Sequence, residues 1–335
     1  MKLRIGVIGL GTAWQTRHRP ALRMLHDRFD VRAVFSTISK LAENSAAEFQ
    51  ADPVDGYRAL LQRCDIDAVM ILERSWLGWL PVLAACESGK AVYWAGDLDF
   101  DPIRDRTVHQ AIEESGVAFM AEFPNRFAPA TLRLKELIAT RLGPPRLVFC
   151  HKRLVEPGKA SARANGVGNG AFTRAEQQLI ELVDWCRYVV HREPSSINST
   201  VHHGKDTVDY QCLSLNFDGE EDSPPVTAQI SCGDYIPATW AEAVNFRPPA
   251  AMQVCCERGV AFIDLPSNIT WFDDAGRHLE SLDTESPVGE QLLTQFHRAV
   301  TSLVRDLGDL NDVYRSASIL AAARSSAKSG ARVDL

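Results

Sequence analysis

The chain has 335 residues, beyond the roughly 250–300 at which a single hydrophobic core stops growing, so two domains are expected. Apolar residues make up 45% and charged residues 24%, and no apolar run approaches the roughly 20 residues of a spanning helix, so a helical membrane protein is not expected. The net charge of −7 comes from acids and bases scattered along the chain, which argues against a nucleic-acid partner, since phosphate binding draws on a concentrated basic face.

Met1-Lys2 leads straight into the apolar run Leu3–Ile8, so no signal peptide is expected. Further apolar runs at Val31–Phe35, Ala68–Leu72, Ala91–Trp94 and Val117–Ala121 read as strands. They alternate with helical patterns at Ala13–Asp27, Lys40–Gln50, Trp76–Ser88 and Ile103–Glu114. Gly89 is placed to end the third helix, and Asp101-Pro102 to open the fourth as a cap followed by an N1 proline. Strands apolar throughout and separated by such helices predict an α/β fold, a doubly wound parallel sheet over residues 1–121.

Gly9-Leu10-Gly11 follows the first strand and opens a helix, the context in which a glycine loop cradles a pyrophosphate. Gly9, Gly11, Thr12, Ala13 and Trp14 are therefore candidate cofactor-binding residues. Trp14 stands at the third glycine position, either as core filler beneath a displaced helix or as a side chain partly filling the site. The second strand ends Val34-Phe35-Ser36-Thr37, without the acid that bonds the ribose of NAD. Hydroxyls at Ser36 and Thr37 favour NADP over NAD, or else simply start a turn.

From Arg146 onward, strand-like runs occur at Leu147–His151, Ser196–His202, Val208–Phe217, Val226–Cys232, Met252–Cys256, Val260–Leu265 and Ile269–Phe272. Helical patterns at Pro129–Ala139, Arg174–Val190, Val288–Leu307 and Asp312–Ser329 complete an α+β domain over 122–335, while Gly158–Gly170 reads as a loop. The eight cysteines include no C-x-x-C pair and sit mostly in apolar segments, as expected for reduced thiols in a cytoplasmic protein. Vicinal Cys255-Cys256 and His202-His203 invite a metal reading, but neighbours on a strand point to opposite faces, and no metal is expected.

The run Ile5–Leu22, IGVIGLGTAWQTRHRPAL, ending His18-Arg19-Pro20-Ala21-Leu22, resembles the opening of the glucose–fructose oxidoreductase / inositol dehydrogenase (Gfo/Idh/MocA) family. Asp67–Lys90, Phe123–Pro129 (FPNRFAP) and Ala321–Leu335 are similar to later segments of that family. The resemblance implies a second domain built on an open, largely antiparallel sheet, a homodimer or homotetramer formed through it, a C-terminal helix packing back toward the first domain, and a small substrate lying between sheet and nicotinamide. It also implies a cofactor contact from Leu72, Glu73 and Arg74 and substrate contacts from Trp94, Asn125 and Arg126.

The chain departs from the family where catalysis would sit. Ala95-Gly96-Asp97 occupies the Glu-Lys-Pro positions, so the lysine is gone. Glu73-Arg74-Ser75-Trp76 replaces a Thr-Pro-Asn turn, placing an acid near a bound pyrophosphate. The D-x-x-x-H-x-x-D motif is matched only as Gln177-x-x-x-Glu181-x-x-Asp184. Alcohol oxidation needs a base within reach of the hydroxyl. Asp97, Glu181 and Asp184 are the candidate catalytic acids, although Glu181 and Asp184 also suit ion pairs with Arg174 or Arg187. Trp76, Trp79 and Trp94 suit either ring stacking or core packing. Two readings remain: an NAD(P)-dependent oxidoreductase of altered catalytic residues acting on a small, sugar-like molecule, or a non-catalytic dinucleotide- or sugar-derivative-binding descendant. Reduction of a conjugated double bond, which needs a single proton donor, is a third possibility.

Overall fold

The computed structural model describes residues 2–73, 77–96, 101, 105–156, 173–204, 208–219, 224–302 and 308–335. The chain divides into two compact units, Met1–Pro124 with Ser286–Tyr314, and Asn125–Glu285 with Arg315–Leu335.

In the first unit, β1 (Leu3–Ile8), β2 (Phe29–Phe35), β3 (Asp52–Pro53), β4 (Ala68–Ile71), β5 (Ala91–Trp94) and β6 (Phe119–Ala121) form a parallel sheet in the order β3-β2-β1-β4-β5-β6. Every residue of β4 and β5 is buried, the pattern of strands covered on both faces. The expected strands are present. The short β3 and α3 (Tyr57–Leu61), which carry no long apolar pattern, are additions.

The first expected helix is not uniform. Trp14–His18 is a wide π turn, and only Arg19–Met24 (α1) is α-helical. Pro20 accounts for this, because its ring lacks an N–H and crowds the carbonyl of Thr16 four residues back, and a widened turn relieves the crowding. α2 covers Ser39–Phe49, α4 Leu80–Glu87 and α5 Arg106–Ser115. Gly89, at φ +63°, follows the end of α4 as expected. The expected start at Asp101-Pro102 falls on residues 102–104, outside the described set; the helix is described over Arg106–Ser115, and the Asp105 backbone N–H donates to the Asp101 carbonyl at 2.8 Å.

In the second unit, α6 (Pro129–Leu137), β7 (Pro145–Val155), α7 (Arg174–Val190), β8 (Ser196–His203), β9 (Val208–Phe217), β10 (Val226–Ile236), β11 (Met252–Cys256), β12 (Val260–Asp264), β13 (Asn268–Asp273), β14 (Gly276–Ser281) and β15 (Val333–Asp334) build an α+β fold. The sheet order is β14-β13-β12-β11-β7-β10-β9-β8-β15, and all neighbours are antiparallel except β7 and β10. This is the mostly antiparallel sheet that the resemblance implied.

One face of that sheet is apolar and buried, with Val148, Cys150, Ile230, Leu213, Val254, Ala261 and Ile263, and α7 packs on β10 and β7. The other exposes Leu147, Tyr235, Phe272 and Leu279. α8 (Val288–Thr301) belongs to the first unit and is shorter than the expected Val288–Leu307. Residues 303–307 lie outside the described set, and α9 spans Gly308–Ser329. The stretch 158–170 also lies outside it. Among the described residues no helix is long and apolar enough to cross a membrane.

Candidate cofactor site and second-unit polar site

In the first unit, the chain leaves β1 through Gly9 at φ +79°, a conformation that favours glycine, with its N–H donating to the Phe35 carbonyl at 2.8 Å. A Cβ on Gly11 would overlap the Leu72 carbonyl oxygen, and one on Gly9 would stand 2.7 Å from the Glu73 Cβ. The loop is thus pressed onto the end of β4 so closely that neither glycine tolerates a side chain. Thr12 is exposed, and Gly11 and Ala13 are half-buried, which leaves the top of the loop accessible.

Trp14 is 2% exposed and packs its ring against Phe49 of α2, with centroids 6.0 Å apart. Its Nε1 is buried with no hydrogen-bond partner among the described residues. The indole is therefore enclosed in the core of the unit. A cleft of about 490 Å³ lies beside the loop, lined by Gly11, Thr12, Trp14, Arg19, Asn44 and Glu48 among others.

At the end of β2, Ser36 is buried and its hydroxyl accepts from the Ile38 N–H at 3.3 Å, so that group is spent on a turn. Thr37 is exposed. Leu72 is buried, and Glu73, half-buried, borders the glycine loop. Arg74, Trp76 and Asp97 lie outside the described residues. Trp94 is fully buried and stacked on Trp79, with centroids 4.5 Å apart and planes 22° apart, and Gly96 lies against its ring. Its indole is packed as core.

The turn after the loop carries a buried polar network in which His18, part of the His-Arg-Pro-Ala-Leu run, meets Tyr93 and Glu122, which no motif signalled. Glu122, just past β6, takes Arg17 on Oε1, while its Oε2 lies 2.6 Å from His18 Nε2 and accepts the Tyr93 hydroxyl at 2.7 Å. Burial alone would raise the Glu122 carboxyl. The hydrogen bond and charge of His18, the Arg17 guanidinium and the Tyr93 hydroxyl outweigh it and hold the group below its ordinary range. The Tyr93 hydroxyl is pushed far up by burial and by the adjacent Glu122 charge.

In the second unit, Asn125 is half-buried in the turn Pro124–Phe127. Arg126 and Asp184, expected to serve substrate and catalysis respectively, meet each other instead. Arg126 Nε donates to Asp184 Oδ2 at 2.7 Å, and Nη2 donates to Oδ1. Asp184 is 1% exposed, and Arg187 Nη1 stands 3.5 Å from its Oδ1. Arg187 in turn is held by Glu193 through bonds of 2.8 and 2.6 Å.

Glu181, three residues earlier, is half-buried and within electrostatic range of the Cys232 thiol, as are Lys152, Asp234 and Arg174. Burial, the largest effect, together with the Asp234 and Glu181 charges pushes that thiol up to about 12, against the lowering pull of Lys152 and Arg174. Burial likewise raises the Asp234 carboxyl, aided by Asp209 and Glu156. Lys152 and Asp234 stand outside every motif. Their strand positions two residues beyond apolar, helix-facing ones were the available signal. Among the described residues no group of three or more His, Cys, Asp or Glu side chains gathers to hold a metal, and His202 pairs with Asp209 at 2.7 Å.

A glycine loop on the first parallel strand, pressed against the fourth, defines a dinucleotide-binding Rossmann domain, here followed by an α+β unit. Residues 3–94 match the model of an oxidoreductase family with an NAD-binding Rossmann fold. That model is the Gfo/Idh/MocA model, and the match covers the first parallel sheet through β5.

The chain is 30% identical over 126 residues to a dTDP-3,4-didehydro-2,6-dideoxy-alpha-D-glucose 3-reductase of Actinomadura kijaniata, covering 36% of each. It is 27% identical over 165 residues to an inositol 2-dehydrogenase of Cereibacter sphaeroides, covering 48% of each. The matched segments thus span less than half the length of these curated relatives. The whole fold is similar to levoglucosan dehydrogenase in complex with NADH and levoglucosan (TM-score 0.82, 16% identity, covering 100% of this chain and 99% of that one). It is also similar to an aldose-aldose oxidoreductase of Caulobacter crescentus (TM-score 0.79, 15% identity, all of both chains).

Proposed function

We propose that the protein is an NAD(P)-dependent oxidoreductase acting on a small polyhydroxylated, sugar-like molecule. The observation that carries this reading is the fit of the glycine loop. Gly11 lies against the Leu72 carbonyl with no room for a Cβ, and Trp14 is turned into the core. The backbone of Gly9–Ala13 would hold the pyrophosphate, with Leu72 and Glu73 beside the loop and Thr37, past the turn that Ser36 braces, toward the adenosine ribose. NADP is favoured because no acid stands between Phe35 and Glu43, and Glu43 is paired with Lys40 at 3.1 Å. When bound, such a cofactor supplies hydride acceptance and donation.

Among the candidate acids, Glu181 suits proton transfer better than Asp184. A carboxylate gripped by two arginines in the interior has neither the basicity nor the surface to receive a hydroxyl proton. Asp97 stays a candidate outside the described residues. Copies of the chain associate through the open sheet face, where Leu147, Tyr235, Phe272 and Leu279 are exposed.

A second reading, a dinucleotide- or sugar-derivative-binding protein without turnover, is favoured by Glu73 beside the loop and by Asp184 being tied up. The two separate in one assay. The purified protein is offered NAD+ or NADP+ with myo-inositol, levoglucosan and D-glucose, and nicotinamide absorbance is followed. Reduction with any of them, lost in Glu181→Gln, supports the oxidoreductase. Cofactor binding without reduction supports the second reading.

A further inference from the structure

The turn Trp14–His18, which follows the glycine loop, is held at three points inside the first unit. Trp14 packs on Phe49 of α2. The Arg17 carbonyl oxygen lies so close to α8 that a Cβ on Gly289 would stand 2.6 Å from it. The third point is Glu122, just past β6, whose backbone N–H donates to the Trp94 carbonyl at 2.8 Å. Its carboxylate takes the side chains of both Arg17 and His18, and the Tyr93 hydroxyl of β5 donates to it at 2.7 Å, so three donors converge on two oxygens. Glu122 and His18 are both buried, so these bonds are made out of reach of bulk water. An amide in place of the carboxylate would keep one acceptor and turn a donor toward the remaining partners.

The turn is tied to the loop through a single peptide unit. The backbone N–H groups of Arg17 and His18 both donate to the Ala13 carbonyl, at 2.9 and 3.3 Å. The Trp14 N–H, at the other side of that peptide, donates to the Gly11 carbonyl at 3.0 Å. A peptide is planar, so holding its carbonyl and its N–H sets the plane. Among the described residues the N–H groups of Thr12 and Ala13, just before it, meet no acceptor. Free backbone donors on a glycine loop are what a pyrophosphate requires. The two residues that fix the Ala13–Trp14 peptide with their backbones are the same two that Glu122 holds by their side chains. Glu122 does not line the cleft beside the loop, so its influence on a ligand there passes through this turn.

We propose that Glu122 is a positioning residue for the dinucleotide: by holding Arg17 and His18 it fixes the Ala13–Trp14 peptide and aims the Thr12 and Ala13 N–H groups at the pyrophosphate. This rests on the dinucleotide reading of the loop. The sign of the effect separates positioning from charge. An anion in the same unit opposes an anionic ligand, so removing the Glu122 charge would by itself tighten binding. Loss of positioning weakens binding, because donors that were aimed in advance must then be ordered as the ligand arrives.

The test is fluorescence titration of the purified protein with NADPH and NADH, for wild type, Glu122→Gln and Asp184→Asn, with phosphorus NMR of the bound pyrophosphate at saturation. Asp184→Asn, whose buried ion pair lies in the second unit, controls for a general loss of stability. Glu122→Gln is expected to bind the cofactor that wild type prefers about tenfold more weakly, with its phosphorus resonances displaced from their wild-type positions. Asp184→Asn is expected to keep both the affinity and the resonances. Binding by Glu122→Gln that is tighter than wild type, or weaker by less than about threefold, overturns the proposal. Weaker binding with resonances at their wild-type positions overturns it too, as does an equal weakening in Asp184→Asn. Should Glu122→Gln fail to fold, His18→Leu, which removes one bond and leaves Glu122 paired with Arg17, is expected to bind more weakly with displaced resonances. Wild-type affinity in that variant overturns the proposal. Failure of wild type itself to bind either cofactor is a different result, that of a wrong dinucleotide reading, and the positioning role falls with it.

Discussion

Arg126 and Asp184 grip each other through both arms of the guanidinium, Nε to Oδ2 at 2.7 Å and Nη2 to Oδ1, with Asp184 almost wholly enclosed. The pair ties the start of the second unit to the middle of α7. Arg187 supports the same carboxylate, and Lys135 stands 4.1 Å from the centre of the Tyr188 ring over which Arg126 also lies. This is a structural ion pair, and its consequence is thermodynamic. Removing one partner of a buried pair leaves an uncompensated charge and costs about 3–5 kcal/mol. Asp184→Asn is expected to lower unfolding stability by an amount near the lower end of that range while leaving NADH affinity within about twofold. Urea denaturation and a fluorescence titration check both halves.

Glu122 predicts an acid-sensitive contribution. Its carboxyl is held below its ordinary range in the folded protein, so its stabilisation is fully present above the unfolded value and disappears as pH falls through the lowered folded value. Glu122→Gln should flatten the stability profile on the acid side and leave its neutral-to-alkaline shape unchanged. Thermal unfolding across that range measures it. A variant that loses stability only above neutrality would contradict this sign.

Glu73 borders the loop that would carry two phosphates. A unit charge about 4 Å from another interacts by about 4 kcal/mol near a protein surface, so the carboxylate opposes an anionic ligand. Glu73→Gln should tighten NADH binding by roughly tenfold, and the gain should shrink as salt rises. Titrations at low and high ionic strength test it.

The thiols should divide sharply in reactivity. Cys64 is exposed, whereas Cys150 and Cys186 are buried and Cys232 is pushed up to about 12. A thiol reagent at neutral pH should label Cys64 rapidly and those three only after denaturant is added. Peptide mass mapping of the labelled protein distinguishes them.

The elements that position the loop were legible because they rest on local signals. Continuous apolar runs mark β1, β4 and β5, and the glycines stand where a turn and a close backbone approach demand them. The fate of Trp14 was not. Whether an indole fills core or cleft depends on Phe49, thirty-five residues away, and on a turn that Pro20 widens. The pairing of Arg126 with Asp184 and the gathering of His18, Tyr93 and Glu122 join residues 29 to 104 positions apart, and no spacing rule encodes such partners. β14 escaped notice because its side chains are mostly exposed and its pattern is polar.

The most direct test of the dinucleotide reading is titration of the purified, cofactor-stripped protein with NADPH and NADH, followed by nicotinamide fluorescence, alongside Gly11→Val. Micromolar binding corresponds to about −8 kcal/mol, within reach of an intact loop. The account predicts such binding in wild type, tighter for NADPH, and its loss in Gly11→Val, where the added side chain would strike the Leu72 carbonyl. Failure of wild type to bind either cofactor at millimolar concentration, or equal binding by Gly11→Val, would contradict it.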